Sequence, residues 1–296
     1  MSPPVSETTS LIDVRNLVKR FGDKLVLNGF NLTVERGETC VLIGGSGAGK
    51  STFARLLVGL QRADGGEIRV DGLNIVGLGE RDLERVRRKF AFVFQSSALL
   101  DSMSVFDNVA FPLREARQLS AMEIKKRVHQ SLSELNVEDA AKKLPGELSG
   151  GMAKRVGIAR AVVTEPEILV YDEPTSGIDP VGSRAIDELI ERMRTSHCVT
   201  SIVITHDMVT ANDVADRVVL LANGQVVAQG PPAELFRSHG KEIEPIAVAS
   251  GIDLARLLPR TSRKSPAKIR AQWKEAHPPV VSLPKARSRS WFWRTA

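Results

Sequence analysis

The sequence predicts an α/β fold whose central sheet is largely parallel. Over roughly the first 235 residues, strand-like runs alternate with helical runs, and turn signals separate them, as parallel sheets require. Thr39–Ile43 is a nearly continuous apolar run, as expected for a strand that is buried on both faces. A chain of 296 residues is long enough to bury one large core or two modest ones.

The part before residue 75 is rich in predicted strands. These are Leu11–Leu17, Leu25–Glu35 and Glu67–Val70, the last followed by a turn at Asp71-Gly72. Ser51–Leu60 lies between them and has the apolar spacing of a helix.

The middle of the chain combines further strands with a helical insertion. Strands are predicted at Phe90–Phe94, Glu167–Tyr171 and Val199–Thr205. Residues 96–147 are mainly helical in pattern, and Ser120 with Glu123 forms the capping box that begins one of these helices. A short helix, Ala233–Ser238, closes the domain.

The net charge of +6 comes from the C-terminal end. From Pro259 to Ala296 there are ten Lys or Arg residues and one acid, whereas the other 258 residues carry 31 basic and 34 acidic side chains. Charge therefore does not support nucleic acid as a partner of the main domain. The Pro, Ser and basic residues of the C-terminal end predict a poorly packed extension.

Composition excludes several other classes of protein. No apolar stretch approaches the ~20 residues that span a bilayer, and the N-terminus lacks a signal-peptide pattern. We therefore expect a soluble chain that meets a membrane through partners. Cys40 and Cys198 are expected to be small, buried side chains without a disulfide, and the five histidines show no spacing typical of zinc ligands.

A glycine-rich loop follows the Thr39–Ile43 strand and precedes a helix. It fits the pattern G-x-x-x-x-G-K-[ST], and the candidate nucleotide-binding residues are Gly44, Gly45, Ser46, Gly47, Ala48, Gly49, Lys50, Ser51 and Thr52. Glycines let backbone N–H groups approach phosphate oxygens at a helix N-terminus. The sequence predicts that Lys50 binds the β- and γ-phosphates and that the Ser51 hydroxyl binds Mg²⁺; a plain strand–helix turn is the alternative.

Two further segments carry candidate site residues. Asp172 and Glu173 end an apolar strand, where Asp172 is predicted to bind Mg²⁺ and Glu173 to polarise the attacking water. Ser149, Gly150 and Gly151 open a helix and offer a hydroxyl and N–H groups to a second anion. Each segment alone is also compatible with a solvated turn or an ordinary helix cap.

The order of these motifs across roughly residues 11–240 resembles the ABC-type ATPases. The resemblance implies a P-loop NTPase of ABC type, with a mixed sheet core, a β-rich N-terminal part and a helical subdomain at about 96–160. Residues 241–296 then form a basic C-terminal extension. It implies ATP and Mg²⁺ as ligands. It also implies that Ser149, Gly150 and Gly151 of one subunit close on ATP held by a second copy of the chain.

The resemblance assigns roles to three more side chains. Phe21 is similar to the aromatic residue that stacks on adenine, although the family more often has Tyr; a core phenylalanine is the alternative. Gln95 resembles the glutamine that reaches Mg²⁺ and the water, and His206 the histidine that contacts the γ-phosphate. A loop glutamine and a capping or core histidine are the alternatives. The loop Ser176–Asp179 resembles the one that communicates between subunits.

The cargo is predicted from local similarity. Phe94–Leu100, Val105–Glu115, Met152 and Tyr171–Gly177 resemble the ATPases of Mla-type phospholipid transport systems. That resemblance implies a membrane permease, an MCE-domain protein and a small STAS-domain protein as partners, at the cytoplasmic face of the inner membrane. The alternatives are the ATPase of a polar amino-acid importer and an ABC ATPase without a transport role.

The basic extension contains all three tryptophans, Trp273, Trp291 and Trp293. Aromatic residues interleaved with Lys and Arg fit a groove on another subunit or accessory protein, or an anionic membrane surface. A disordered, solubilising tail is the third interpretation.

Overall fold

The computed structural model describes residues 10–249 and 265–276. Within these residues, a six-stranded sheet has the order β10-β9-β3-β8-β7-β6, in which β10 alone is antiparallel to its neighbour. Its strands are β3 (Thr39–Ile43), β6 (Phe90–Val93), β7 (Ile168–Asp172), β8 (Thr200–Ile204), β9 (Arg217–Ala222) and β10 (Gln225–Gly230). All five residues of β3 are buried, so the prediction of a two-sided central strand is confirmed.

A second, antiparallel sheet forms the β-rich N-terminal part. It has the order β2-β1-β4-β5, with β1 (Ser10–Phe21), β2 (Lys24–Glu35), β4 (Gly65–Val70) and β5 (Leu73–Asn74). Helix α1 (Lys50–Leu57) packs beneath it, with the Phe30 and Phe53 ring centroids 4.8 Å apart. This helix ends three residues earlier than the sequence pattern predicts.

The helices of the described residues cover the parallel sheet and extend from its β6 edge. After α1 they are α2 (Glu80–Arg87), α3 (Val105–Ala116), α4 (Ala121–Glu134), α5 (Gly150–Val162), α6 (Pro180–His197), α7 (Met208–Val214), α8 (Pro232–Ser238), α9 (Gly240–Ala249) and α10 (Pro266–Ala276). Two short 3₁₀ turns, Glu138–Ala140 and Pro145–Glu147, precede α5. The predicted capping box is present, because Ser120 and Glu123 cap α4 reciprocally.

The C-terminal residues differ from the sequence expectation. The prediction of a poorly packed extension from Pro259 onward is wrong for α10. Its Ile269 is 2% exposed, and the Arg270 guanidinium donates to the Arg36 carbonyl at 2.7 Å. Earlier in the chain, α9 buries Ile243 in the main core. The Trp273 side chain, Trp291 and Trp293 lie outside the described part of the chain.

Two smaller expectations also have an outcome. Cys40 is buried, which raises the pKa of its thiol to about 12, whereas Cys198 is half-buried, so the expectation of burial is wrong for Cys198. Among the described helices, none combines the length and the apolar character that crossing a bilayer demands.

Candidate functional site

The phosphate loop joins β3 to α1 at the carboxyl edge of the parallel sheet. Gly49 precedes α1 with φ 107°, and a Cβ there would lie 2.7 Å from Leu27 Cδ2. A Cβ on Gly44 would lie 2.4 Å from the Leu221 carbonyl oxygen. A side chain at Gly44 would displace the Leu221 backbone, and one at Gly49 would displace the Leu27 side chain and also require a left-handed φ, so glycine is favoured at both positions.

Lys50 lies across this loop. Its Nζ donates to the carbonyl oxygens of Gly44 at 2.6 Å and Gly45 at 3.1 Å. Burial lowers the pKa of the ammonium, while the nearby carboxylates of Glu173 and Asp172 act in the opposite direction. The ammonium group is thus held over the loop, where its charge would attract and stabilise a bound triphosphate.

Asp172 ends β7, two strands away from β3. Burial, and then the neighbouring Glu173 carboxylate, raise the pKa of Asp172; Arg55, Lys50 and a hydrogen bond from Ser51 partly offset this. A half-buried carboxylate with a raised pKa is one that lacks sufficient positive charge nearby. A bound cation would supply that charge.

The donor chemistry fits Mg²⁺, which prefers oxygen ligands and keeps several of its waters or phosphate oxygens. The hydroxyl of Ser51 lies near enough to the carboxylate of Asp172 to lower its pKa. Within residues 10–249 and 265–276 no cluster of three or more His, Cys, Asp or Glu side chains could hold a metal by itself. Ser51 and Asp172 are therefore the candidate protein ligands, and nucleotide phosphates would complete the set.

Glu173 has its carboxylate held at both oxygens. Its Oε1 lies 2.9 Å from His206 Nδ1 and its Oε2 accepts from the Thr205 hydroxyl at 3.3 Å. Its backbone has φ 50°, a strained conformation for a non-glycine residue that is typical of functional sites. The N–H of Glu173 donates to the Ile204 carbonyl at 2.8 Å, which holds this bend against β8.

The structure therefore brings most of the predicted residues to one edge of the sheet. The electrostatic and hydrogen-bond contacts join Lys50, Ser51, Asp172, Glu173 and His206. An acceptor carboxylate beside a cation-binding pair and an anchored ammonium is an arrangement suited to phosphate hydrolysis.

Of the three candidate Mg²⁺ ligands, Gln95 is the one that does not belong to this group of residues. It follows β6, and its side-chain amide donates to the Ser176 hydroxyl at 3.3 Å. The contact links Gln95 to the Ser176–Asp179 loop. The role of Gln95 at Mg²⁺ stays a prediction.

Ser149 caps α5, accepting from the Met152 N–H at 3.3 Å. In the same chain, Gly150 and Gly151 face Gly177 and Ile178, with added Cβ atoms 3.9 and 3.8 Å from those residues. Helix α5 packs on β6, which is three strands from β3, or roughly 14 Å at the usual strand spacing. The separation favours an anion on another subunit as the ligand of Ser149, Gly150 and Gly151.

Phe21 ends β1 and is 47% exposed, so the core interpretation of this side chain is wrong. Lys19 Nζ lies 5.1 Å from the ring centroid, a cation–π contact, and also forms an ion pair with Asp64 at 3.2 Å. One anchored cation on an exposed ring leaves aromatic surface for a base.

We expect Phe21→Ala to weaken ATP binding by about 1–3 kcal/mol, about 5- to 150-fold in Kd, because base–aromatic stacking is worth that much. Phe21→Tyr should bind as the parent does. Titration with a fluorescent ATP analogue measures both. Leu73→Ala removes an equally exposed apolar side chain on β5 and serves as the control; equal affinities for Phe21→Ala and Leu73→Ala would contradict the stacking role.

Two site-supporting residues were missed by sequence reasoning. Lys154 and Arg160 lie on α5, are 5% and 4% exposed, and contact backbone carbonyls around Gln95 and Glu173. Their only signal in the sequence is that both are basic residues of one helix. Which face of α5 is buried becomes known only when the packing of the helix is known, so the sequence could not assign them to the site.

The comparisons with known proteins agree with one another on the family. A family described as "ABC transporter" matches residues 27–176. The methionine import ATP-binding protein MetN of Rhizobium johnstonii is 42% identical over 80% of this chain and 64% of its own length. The intermembrane phospholipid transport system ATP-binding protein MlaF of Haemophilus influenzae is 38% identical over 78% of this chain and 87% of its own length.

The match therefore spans less than two thirds of the MetN relative. Among solved structures, a dimer of the ATP-binding cassette MJ0796 in a post-hydrolysis state, bound to ADP and Pi, is similar. Its TM-score is 0.69 at 30% identity, over 75% of this chain and 98% of that one.

Proposed function

The chain belongs to the ABC transporter family of ATP-hydrolysing subunits, and we propose that it energises the transport of phospholipid between two membranes. The observation that carries ATP hydrolysis is the position of Glu173, which lies beside Asp172 with both carboxylate oxygens held by Thr205 and His206. A carboxylate held in this way can accept a proton from an attacking water.

Each residue of the site has a proposed task. The N–H groups of the phosphate loop and Lys50 bind the triphosphate, and Phe21 stacks on adenine. Ser51 and Asp172 hold Mg²⁺, which supplies charge stabilisation to the transferring phosphoryl group. His206, which is 55% exposed, contacts the γ-phosphate, and Gln95 links the site to the Ser176–Asp179 loop.

The working unit is a dimer of two copies of this chain. The roughly 14 Å between β3 and the α5 edge supports a composite site in which Ser149, Gly150 and Gly151 contact the nucleotide of the partner. MJ0796, which resembles this chain, forms a dimer bound to ADP and Pi. Hydrolysis of the γ-phosphate would remove the charge that holds the two copies together.

The membrane partners are proposed from the same family resemblance. They are permease subunits, an MCE-domain protein and a small STAS-domain protein, which place the chain at the cytoplasmic face of the inner membrane. A phospholipid cargo is supported by the MlaF relative, of which the match covers 87%, and by the segments Phe94–Leu100 and Val105–Glu115.

Import of methionine is the second candidate function, and the 42% identity to the MetN relative favours it. The two candidates share the ATPase chemistry and differ in the membrane partners. Residues 94–115, which include the turn after β6 and all but the end of α3, would act between the nucleotide site and those partners in either case.

Reconstitution separates the two functions. The tagged chain is purified with its membrane partners and placed in liposomes, and ATP-dependent transfer of a fluorescent phospholipid to acceptor vesicles is measured beside uptake of labelled methionine. The assembly carrying Glu173→Gln is the control for ATP-independent exchange. Phospholipid transfer without methionine uptake supports the proposal; methionine uptake without lipid transfer overturns it.

A further inference from the structure

Lys154 is a buried cation on the helix that begins at the second anion-binding segment. It is 5% exposed and stands one turn after Gly150 on α5. Its Nζ donates to the backbone carbonyl of Gln95 and, at 3.3 Å, to that of Glu173. A buried ammonium is costly unless it is satisfied in this way, so these contacts fix where the side chain lies.

The two carbonyl oxygens belong to two of the proposed site residues. Gln95 follows β6, Glu173 follows β7, and these strands are neighbours in the sheet. Both acceptors adjoin strained backbone, because Ser97, Ala98 and Glu173 have φ of 60°, 43° and 50°. Lys154 therefore joins the turn after β6 to the bend at the end of β7.

The same face of α5 holds the turn after Gln95 at a second point. Arg160 donates to the carbonyl oxygens of Ser97 and Ala98, both at 2.7 Å. Between the two cations, Gly157 faces Ser97, and a Cβ there would lie 3.3 Å from Ser97 Cβ. Lys154 and Arg160 thus bind the turn after β6 to α5 along two turns of the helix. Glu173 is bound to α5 through Lys154.

Taking the proposed ATPase function as its basis, we propose that Lys154 is a positioning residue, which couples the N-terminus of α5 to Gln95 and Glu173 through their backbone carbonyls. When Ser149, Gly150 and Gly151 engage the nucleotide of the partner, α5 settles against the site. Because Lys154 donates to the Glu173 carbonyl, a shift of α5 also moves the Glu173 backbone and, with it, the carboxylate. The residue does not contact ATP, so its effect lies on the hydrolytic step.

The test compares steady-state ATPase kinetics of the full chain with three substitutions. Lys154→Met keeps the apolar stem and removes the charge. We expect kcat to fall roughly 10- to 100-fold, as a small misplacement of a reacting group does, with KM and the affinity for ATP unchanged. Lys154→Arg should restore most of kcat, because a guanidinium can donate to both carbonyl oxygens. Lys126→Met, an exposed lysine on α4, is the charge-matched control and should behave as the parent.

The outcomes are distinguishable from failure of the proposed function. A parent chain without ATPase activity in the dimer would overturn the proposed function itself. An active parent with an unchanged kcat in Lys154→Met, or with kcat and ATP affinity lost together, would overturn the positioning role alone. If Lys154→Met does not fold, Lys154→Gln decides, because its shorter amide reaches one carbonyl at most. A parental kcat in that variant overturns the inference, and a reduced kcat at constant KM supports it.

Discussion

Glu173→Gln is expected to lower kcat for ATP hydrolysis about 10²- to 10⁴-fold, the usual contribution of a general base, and to leave a stable ATP-bound dimer. The amide has nearly the shape of the carboxylate and cannot accept the proton of the attacking water. Thr205 can still donate to the amide oxygen, in place of its 3.3 Å bond to the carboxylate. The site should therefore keep its form and its affinity for ATP.

Size-exclusion chromatography with light scattering, in ATP and Mg²⁺, measures the dimer directly. The parent should pass through a transient dimer, whereas the Glu173→Gln chain should elute at twice the monomer mass. Glu188→Gln makes the same chemical change at an exposed position of α6 and should resemble the parent. Glu173→Gln that stays monomeric in ATP would contradict the composite site.

Local pattern was sufficient for much of this site. The phosphate loop, the buried strand before it and the acids at the end of β7 are each identified by a few consecutive residues, and the structure places Lys50, Asp172 and Glu173 together. Parallel strands end at the same edge of a sheet, which is why separate segments could be expected to meet there. The alternation of strands and helices predicted the α/β fold, and the resemblance of the motif order implied its ABC type; both are confirmed by the similar structures.

Contacts that depend on packing were beyond the sequence. The partner of the Gln95 amide is Ser176, 81 residues away, and no local pattern identifies that pair. Lys154 looks like an ordinary helix lysine until α5 is placed against β6. Composition likewise failed for α10, because it does not reveal that Ile269 is buried or that Arg270 donates to the Arg36 carbonyl.

Gly151→Asp is expected to abolish ATP-driven dimerisation and to lower ATPase activity more than 100-fold. A like charge placed against a bound anion costs several kcal/mol, and the carboxylate would face the triphosphate held by the partner. Within a single chain, the same substitution carries no penalty. Gly151 has an ordinary φ, an added Cβ would lie 3.8 Å from Ile178 Cγ2, and an acid in the first turn of a helix is favourable by about 0.3–1 kcal/mol.

The prediction therefore separates stability from function. The thermal unfolding midpoint without nucleotide should equal or exceed that of the parent, since Gly is also less favourable in a helix than Asp, by less than about 1 kcal/mol. ATPase assays and light scattering measure the functional loss. Gly146→Asp adds the same charge in the 3₁₀ turn before α5, where nothing lies within 4 Å of an added Cβ, and should leave activity intact.

The two glycines of this segment have no role within one chain that explains them. Neither Gly150 nor Gly151 has a positive φ, and added Cβ atoms would make only ordinary contacts, although each glycine weakens the first turn of α5. That cost is understandable if a second molecule must approach the backbone closely at this point. Parental activity in Gly151→Asp would show that no anion approaches α5, and the nucleotide would then have to be bound and hydrolysed within a single copy of the chain.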